Sequence, residues 1–505
     1  MGDLRTIGRG AAYVFAGLVF AKLVAYAWRI IVAKTGPENY GLLSLAISIL
    51  GLTYTFSFLG LESAVMRYMA YFKEKNDTSK MKGVLFSSLK LSIPVSVLVS
   101  IALYTYSDFI SINLFEKPGL SPLLKIISFG IVPYMVYIMS LSALIGLKKI
   151  EGVVISRNIT ESTIRLIATI VLIYLGYGIL GAAAAYVLAF VFSAIVSLYF
   201  LEKNFPFLGT KISAEGLEKE LLNYSLPLLM GGVVVQMLSW VDILMIGYFR
   251  TASEVGIYST AVPTAALLLF IPAALSSLFL PVITGAYAKN RINDIKRVYL
   301  RVTKITVVAN LPIVLIMMFF SEEILGFFFG SVYSEGALSL SLLAIGYFIA
   351  SAVTTSNAIL NMTKNTKSLM AIAIISTAVN VALNYFLIPL YGINGAAVSA
   401  AIAMALSGIL VCFSAYKSIN IIPYDKSLFY VCLLGGGSLS GMYFGLHAIY
   451  ATIPIIPAIL GVLLFFAFYL YLIFKFRIIE KSEVVEIINS LKGRIRNMTS
   501  PVMWD

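Results

Sequence analysis

The sequence is poor in charged residues, cysteine and histidine. Only 12% of its 505 residues are Asp, Glu, Lys or Arg, whereas 60% are hydrophobic. A water-soluble chain of this length needs far more polar residues to cover its surface, so the composition predicts a protein that crosses a membrane many times. Cys412 and Cys432 both lie in apolar runs and are interpreted as free thiols. His447 has no cysteine or acidic cluster beside it, which argues against a metal site.

The hydrophobic runs predict helices, because they are long and lack the alternation of a β-barrel. The first run is also too long for a cleavable signal and has no small-residue cleavage site. We therefore predict an all-α polytopic membrane protein with fourteen transmembrane helices. They lie near residues 10–33, 41–66, 83–106, 121–147, 158–176, 179–201, 223–248, 257–285, 297–320, 336–361, 369–390, 393–416, 427–447 and 453–475.

The distribution of lysine and arginine predicts the orientation. Of the 37 such residues, only Lys34, Lys117 and Arg250 fall in the turns on one side of the predicted membrane. Cytoplasmic turns carry the excess of Lys and Arg, so we predict a multi-pass protein of the cell membrane with both termini cytoplasmic. This asymmetry accounts for the net charge of +13 without a nucleic-acid partner, and we expect a monomer.

Three pairs of segments recur at nearly the same spacing. Residues 70–75 (AYFKEK) match 286–291 (AYAKNR) at 216 positions, and residues 176–185 match 390–399 at 214. ENYGLLS and SEVGIYS align Gly41 with Gly256 at 215. The agreement predicts a duplicated unit of six helices, and an even number of helices makes the two copies parallel.

The duplication predicts the domains. We expect an N-terminal lobe at 1–201, a cytoplasmic linker at 202–222, a C-terminal lobe at 223–416, two extra helices within 427–475, and a basic cytoplasmic tail at 476–505. The two lobes should enclose a central cavity. The tail has the pattern of an amphipathic helix on the inner leaflet, with an ordinary solvated tail as the alternative.

Cations inside the predicted helices suggest what the cavity binds. Lys22 and Arg29 are seven residues apart on one helix face, and Lys22 is about 18 Å from either helix end. Residues of this kind usually face a bundle interior or a water-filled cavity. For Arg29 and Arg67 the alternative is extension to the nearer interface. Glu161 and Arg165 are four apart and should pair with each other.

The segment GPENYGLLSLAISILGLTYTFSFLGLESAVMRYMAYF, residues 36–72, resembles the signature of the polysaccharide-biosynthesis (Wzx-like oligosaccharide) flippases, a branch of the multidrug/oligosaccharidyl-lipid/polysaccharide exporter superfamily. The resemblance implies translocation of a lipid-linked oligosaccharide from the inner to the outer leaflet by alternating access, with membrane lipids as the other partner. It also implies that Lys22, Arg29 and Arg67 match arginines that hold the substrate pyrophosphate in related flippases. Lys90, a further cation within a predicted helix, should add to the charge of the cavity. Lysine at position 22 lacks the planar fork of arginine.

A second candidate site lies in the predicted C-terminal lobe. Asp242, Asn384 and Ser399 fall at a similar depth of ~10 Å from the outer helix ends, and Asn380 lies four residues from Asn384 on the same helix face. Carboxylate, amide and hydroxyl oxygens suit a hard cation. The resemblance implies a sodium site at these positions, with Asn384 where a second acid is found, and so sodium or a proton as the coupling ion. The alternative is an aspartate satisfied by neighbouring amides. We predict no other metal and no cofactor.

Two other functions were weighed. A multidrug cation antiporter of the same superfamily would be expected to carry an acid in the first lobe and commonly has twelve helices; Lys22 and Arg29 favour an anionic substrate instead. A membrane enzyme such as a polysaccharide polymerase or ligase usually needs a long outer loop rich in Arg and His. The largest outer turns, near 107–120 and 321–335, are short, so we predict that the protein is not an enzyme.

Overall fold

The computed structural model describes residues 2–207, 214–424, 433, 435–443 and 455–475. All regular structure in these ranges is helical, and none of them contains a β-strand. A helix satisfies its own backbone hydrogen bonds inside lipid, which is why long apolar runs fold this way in a membrane. The predicted all-α class is confirmed. The basic tail, Cys432 and His447 lie outside the described residues.

The first ten helices come from the first half of the chain. They are α1 (Gly2–Ala33), α2 (Pro37–Phe58), α3 (Leu61–Glu74), α4 (Thr78–Thr105), α5 (Ser107–Phe109), α6 (Leu120–Ser128), α7 (Ile131–Gly146), α8 (Ile150–Val153), α9 (Glu161–Leu172) and α10 (Gly178–Asn204). Wider π-helical turns continue α5 over Ile110–Leu114, join α8 to α9 over Val154–Thr160, and continue α9 over Ile173–Tyr177.

The later helices follow in chain order. They are α11 (Glu218–Phe249), α12 (Ala252–Ala265), α13 (Phe270–Ala288), α14 (Ile292–Phe319), α15 (Ser321–Phe329), α16 (Ala337–Ala352), α17 (Thr354–Met362), α18 (Thr366–Ile419) and α19 (Ile455–Lys475). Residues 435–443 are also helical. Tyr469 of α19 donates a hydrogen bond to the carbonyl oxygen of Val308 (2.8 Å), which fixes α19 against α14.

By length and hydropathy, eight segments of the described chain are able to span a membrane, or nine if a pair bent by 46° (Leu120–Ser128 and Ile131–Gly146) counts as one span. Two of the eight, Ile150–Asn204 and Thr366–Ile419, have 55 and 54 residues. At 1.5 Å per residue each is more than twice the ~30 Å of the hydrocarbon core, so each is long enough to cross twice. The protein is a multi-pass membrane protein, and the number of fourteen helices stays a prediction.

The predicted second helix is two helices in the structure. Leu59 (φ 50°) and Gly60 (φ 69°) adopt left-handed backbone and separate α2 from α3. A Cβ on Gly60 would lie 2.4 Å from the carbonyl oxygen of Ser225 on α11, so glycine is needed for this close approach as well. The break places Arg67 on α3 rather than on the helix that begins at Pro37.

The duplication in the sequence is also visible in the backbone. Gly178 (φ 52°, ψ −133°) and Gly392 (φ 57°, ψ −135°) interrupt the two long segments with the same conformation, 214 positions apart. Only glycine adopts this region readily. Left-handed residues recur at 214 and 216 positions in two further turns, at Asn76 and Asn290 and at Lys148 and Lys364. This local agreement supports the repeat inferred from the sequence.

The described contacts divide the chain into two compact units, one of them Gly10–Ser259 and the other made of the residues up to Arg9 together with those from Thr260 onward. Within Gly10–Ser259, α11 packs against α2, α3 and α4. This division falls later in the chain than the predicted boundary at residues 201 and 202, because α11 and the first half of α12 belong to the earlier unit. The functional extent of the two lobes stays a prediction.

Candidate functional site

Lys22 and Arg29 lie on α1, two turns apart. Lys22 is exposed and forms no hydrogen bond or ion pair with the residues that the structure describes. Arg29 is half-buried, and its Nη1 donates a hydrogen bond to the hydroxyl oxygen of Tyr40 on α2 (3.2 Å). The guanidinium has five N–H donors, so this bond leaves several for another acceptor such as a phosphate.

Tyr40 was missed by the sequence reading, although it lies within the quoted GPENYG turn. Its side chain is 1% exposed, and its hydroxyl donates a hydrogen bond to the carbonyl oxygen of Ser259 on α12 (3.1 Å). The same oxygen therefore accepts from Arg29 and donates to α12. A tyrosine at the start of a helix, eleven residues after an arginine within a predicted helix, is the signal for it in the sequence.

The other two predicted substrate cations each contact α11. The guanidinium carbon of Arg67 lies 4.5 Å from the centre of the Tyr224 ring, close enough for a cation–π interaction. The Lys90 ammonium lies 3.0 Å from the carboxylate of Glu218. The hydrogen bond from Lys90 is also the main reason why the pKa of Glu218 is lowered. Both cations thus have partners of their own, and their role in substrate binding stays a prediction.

The pairing of Glu161 with Arg165 is confirmed. An oxygen of Glu161 lies 3.4 Å from Nη1 of Arg165, and the side chains are 20% and 13% exposed. Tyr137 donates a hydrogen bond to the other carboxylate oxygen (3.0 Å). The guanidinium of Arg165 lies 5.3 Å from the Trp28 ring and 5.2 Å from the Tyr186 ring. This arrangement neutralises both charges, which fits a structural role.

Asp242 lies on α11, within the unit Gly10–Ser259. One of its carboxylate oxygens accepts a hydrogen bond from the hydroxyl of Tyr258 on α12 (3.2 Å), and Tyr258 is fully buried. The bond to a neutral hydroxyl orients the carboxylate without removing its charge.

Asn380, Asn384 and Ser399 lie on α18, in the other unit, and are buried. Nδ2 of Asn384 donates to Oδ1 of Asn380 (3.3 Å), and the Ser399 hydroxyl donates to the carbonyl oxygen of Gly395 (2.9 Å). No group of three or more His, Cys, Asp or Glu able to hold a metal occurs in the described part of the chain. The ion site predicted from Asp242 and these three residues stays a prediction.

Two surface cavities are lined by other residues. One, of about 470 Å³, is almost wholly apolar, with Leu52 and Phe56 of α2 and Val99 of α4 in its wall. The other, of about 380 Å³, lies where α13 meets α14 and is lined by Lys289, Arg291, Asp294 and Arg297 among others. Neither contains a predicted substrate-binding or ion-binding residue.

Solved structures share the fold. A structure described as "Lipid II flippase MurJ, inward closed conformation" superimposes with a TM-score of 0.70 and 19% identity, covering 91% of this chain and 99% of that one. An inward-facing transporter of the multidrug resistance MATE family also superimposes with a TM-score of 0.70. It is 16% identical, and the match covers 81% of this chain and 98% of that one. At these identities the likeness shows the fold alone.

Curated relatives are similar in sequence. The "Probable low-salt glycan biosynthesis flippase Agl15" of Haloferax volcanii is 26% identical over 253 residues, which are 50% of this chain and 53% of that protein. The chain thus spans about half of that relative's length. The "Putative O-antigen transporter" of Shigella flexneri is 25% identical over 385 residues, covering 74% of this chain and 89% of that protein.

Family models match two regions. The MatE model matches residues 227–386, and the model described as "Polysaccharide biosynthesis protein" matches residues 7–287, more than half of the chain. The match to the polysaccharide biosynthesis model includes α1, α2 and the GPENYG turn, which carries the resemblance in the sequence. The chain belongs to the polysaccharide biosynthesis protein family.

Proposed function

We propose that this protein is a flippase for an anionic lipid-linked oligosaccharide of the polyprenyl phosphate or pyrophosphate type. It moves the substrate from the inner to the outer leaflet of the cell membrane by alternating access, as a monomer with both termini in the cytoplasm. The relatives named as a glycan biosynthesis flippase and an O-antigen transporter support this substrate class.

The observation that carries the proposal is the pair of cations on α1. A charged residue at bilayer depth costs about 3 kcal/mol on insertion scales, and it is usually retained for function. Lys22 is exposed without a partner among the described residues, and Arg29 is held by one hydrogen bond to Tyr40. A phosphate is the ligand that would satisfy the remaining donors of both side chains.

A multidrug cation antiporter remains the second candidate, because the MatE model matches residues 227–386 and MATE structures share the fold. An organic cation would be repelled by the two α1 cations.

The proposed coupling ion is sodium or a proton at Asp242, with Asn380, Asn384 and Ser399.

Proteoliposomes test the proposal directly. A fluorescent undecaprenyl-pyrophosphate oligosaccharide in the vesicle membrane is quenched by external dithionite only while it remains in the outer leaflet. Wild-type protein should expose the whole pool, and Lys22→Gln and Arg29→Gln should each abolish this effect. Lys34→Gln, which removes an exposed cation just beyond α1, is the matched control and should translocate normally.

Two results would contradict the proposal. Translocation at wild-type rates by both Lys22→Gln and Arg29→Gln would exclude the α1 cations as the phosphate site. Rescue of a drug-sensitive strain by the wild-type protein, without translocation of the saccharide lipid, would favour the antiporter.

A further inference from the structure

Two glycines that are equivalent in the repeat meet at a helix crossing. Gly41 on α2 and Gly256 on α12 align at 215 positions. A Cβ on Gly41 would lie 1.7 Å from the carbonyl oxygen of Ala252, and a Cβ on Gly256 would lie 1.9 Å from that of Pro37. Each glycine therefore faces the backbone four residues before the other, with approximate two-fold symmetry. All four residues belong to the unit Gly10–Ser259.

The crossing leaves no room for side chains. A Cβ added to Gly41 or Gly256 would in each case meet a backbone oxygen, which cannot rotate away as a flexible side chain can. Even alanine at either position would require α2 and α12 to separate. In the predicted orientation both helices begin at the outer surface, so this crossing lies near the outer ends of α2 and α12.

Tyrosines next to the crossing connect it to the charged residues of the two preceding helices. Tyr40, adjacent to Gly41, joins Arg29 of α1 to the carbonyl oxygen of Ser259. Tyr258, two residues after Gly256, holds Asp242 of α11. Each repeat thus ties one ionised residue of its first helix to its second helix through a buried tyrosine, a cation in one repeat and an anion in the other.

We propose that Tyr40 is a positioning residue that links phosphate binding at Arg29 to the contact between α2 and α12. Tyr40 is fixed by α12 only while the crossing is closed, and it then directs one N–H of Arg29, leaving the other donors arranged for a phosphate. A ligand shifts a conformational equilibrium only through its different affinity for the two states. A phosphate that binds Arg29 more tightly in the closed arrangement therefore favours the closed crossing. The inference rests on the proposed function, because it takes Arg29 as a phosphate ligand.

Spin labels across the crossing test the link. Cysteines replace Glu38 and Thr251, which are exposed beside it, in a full-length chain whose Cys412 and Cys432 are changed to serine. Electron–electron double resonance then reports the distance between labels with and without farnesyl pyrophosphate, a soluble lipid pyrophosphate. The parent should populate the shorter distance more strongly when the pyrophosphate is added. Tyr40→Phe should show no such change and should bind the pyrophosphate about tenfold more weakly in calorimetry, because one hydrogen bond to a charged group is lost.

Three variants separate this role from general packing. Tyr54→Phe removes a buried hydroxyl that has no partner in the described structure and should respond like the parent. Gly41→Ala should hold the longer distance with or without ligand. Arg29→Gln, which leaves Tyr40 unchanged, should lose the response, and it supplies the test if Tyr40→Phe fails to fold.

The outcomes distinguish the two proposals. A response of Tyr40→Phe equal to that of the parent would overturn the positioning role. Binding of farnesyl pyrophosphate to the parent without any change in distance would overturn the link while leaving the phosphate site intact. Failure of the parent to bind the pyrophosphate at all would contradict the proposed function, and this inference with it.

Discussion

The hydroxyl of Tyr258 and the carboxylate of Asp242 form a hydrogen bond of 3.2 Å between α12 and α11. Tyr258 is fully buried and Asp242 is half-buried, so the hydrogen bond holds the carboxylate against α12. A neutral hydroxyl stabilises the charged form of a carboxylate without cancelling its charge. A carboxylate that keeps its charge is the kind of ligand that a cation at this position would need.

The first prediction concerns this carboxylate. Sodium should raise the thermal midpoint of the purified protein, because a ligand that binds only the folded state stabilises it, by about 1.4 kcal/mol at ten times its dissociation constant. Asp242→Asn should abolish the increase in midpoint. Tyr258→Phe should only reduce it, because this variant keeps the carboxylate and loses the hydroxyl that orients it. Scanning fluorimetry with sodium chloride against choline chloride at equal ionic strength makes the measurement.

Two other results would change the assignment. If sodium has no effect but low pH shifts the midpoint of the wild type and not of Asp242→Asn, the ion is a proton. If Asp242→Asn and the wild type respond alike to sodium and to low pH, Asp242 has a structural role.

The second prediction concerns Lys90 and Glu218. The hydrogen bond from Lys90 lowers the pKa of Glu218 below its usual value near 4.5. A lowered folded pKa contributes stability above the unfolded value, and this is lost as pH falls through the folded value. Glu218→Gln should therefore lower the thermal midpoint at pH 7, and the difference should shrink once the pH falls below about 4.5 and vanish below the lowered pKa of the folded protein. Because Glu218 is on the surface, we expect a small difference.

Lys90→Gln and the double variant complete a thermodynamic cycle at both pH values. If the thermal midpoints of wild type and Glu218→Gln differ by the same amount at low pH as at pH 7, the ion pair with Lys90 is not the cause of the difference. Translocation by Glu218→Gln should be retained, since the substitution leaves the Lys90 ammonium available.

Features that depend on local spacing were predictable from the sequence. The four-residue separation of Glu161 and Arg165 sets their distance on any helix, and the pair forms as expected. The apolar runs similarly predict helices, and the repeated glycines at 178 and 392 mark equivalent breaks. Each of these follows from helix geometry or from the conformational range of glycine, without knowledge of how the helices pack.

Features that depend on packing were not predictable. The bond from Tyr40 to Ser259 joins residues 219 positions apart, and nothing in either local sequence indicates the other. A single glycine at position 60 is tolerated in many helices, so the sequence predicts a helix that continues past Phe58. In the structure α11 packs closely against Gly60 at this break, which is a tertiary contact.

The third prediction is the orientation. In a chain without native cysteines, Glu335→Cys should react with a membrane-impermeant maleimide added to intact cells, because it is exposed in a predicted outer turn. Lys149→Cys, exposed in a predicted inner turn, should react only after permeabilisation. The reverse pattern would place both termini outside and would move the α2–α12 crossing to the cytoplasmic end.

The last prediction separates a structural ion pair from a substrate contact. Glu161→Gln leaves the Arg165 charge without its carboxylate at a site where that side chain is 13% exposed, and breaking a buried pair in this way costs about 3 kcal/mol. The thermal midpoint and the yield of monodisperse protein should both fall.

The double variant Glu161→Gln/Arg165→Met should recover much of this loss, because it removes the uncompensated charge and keeps the volume against Trp28 and Tyr186. It should also translocate the saccharide lipid once folded. A double variant that is as stable as the wild type but inactive would instead place Arg165 among the substrate ligands, beside Arg29. In that case the guanidinium of Arg165, which lies over the Trp28 ring, would be a third substrate-binding cation beside Lys22 and Arg29 of α1.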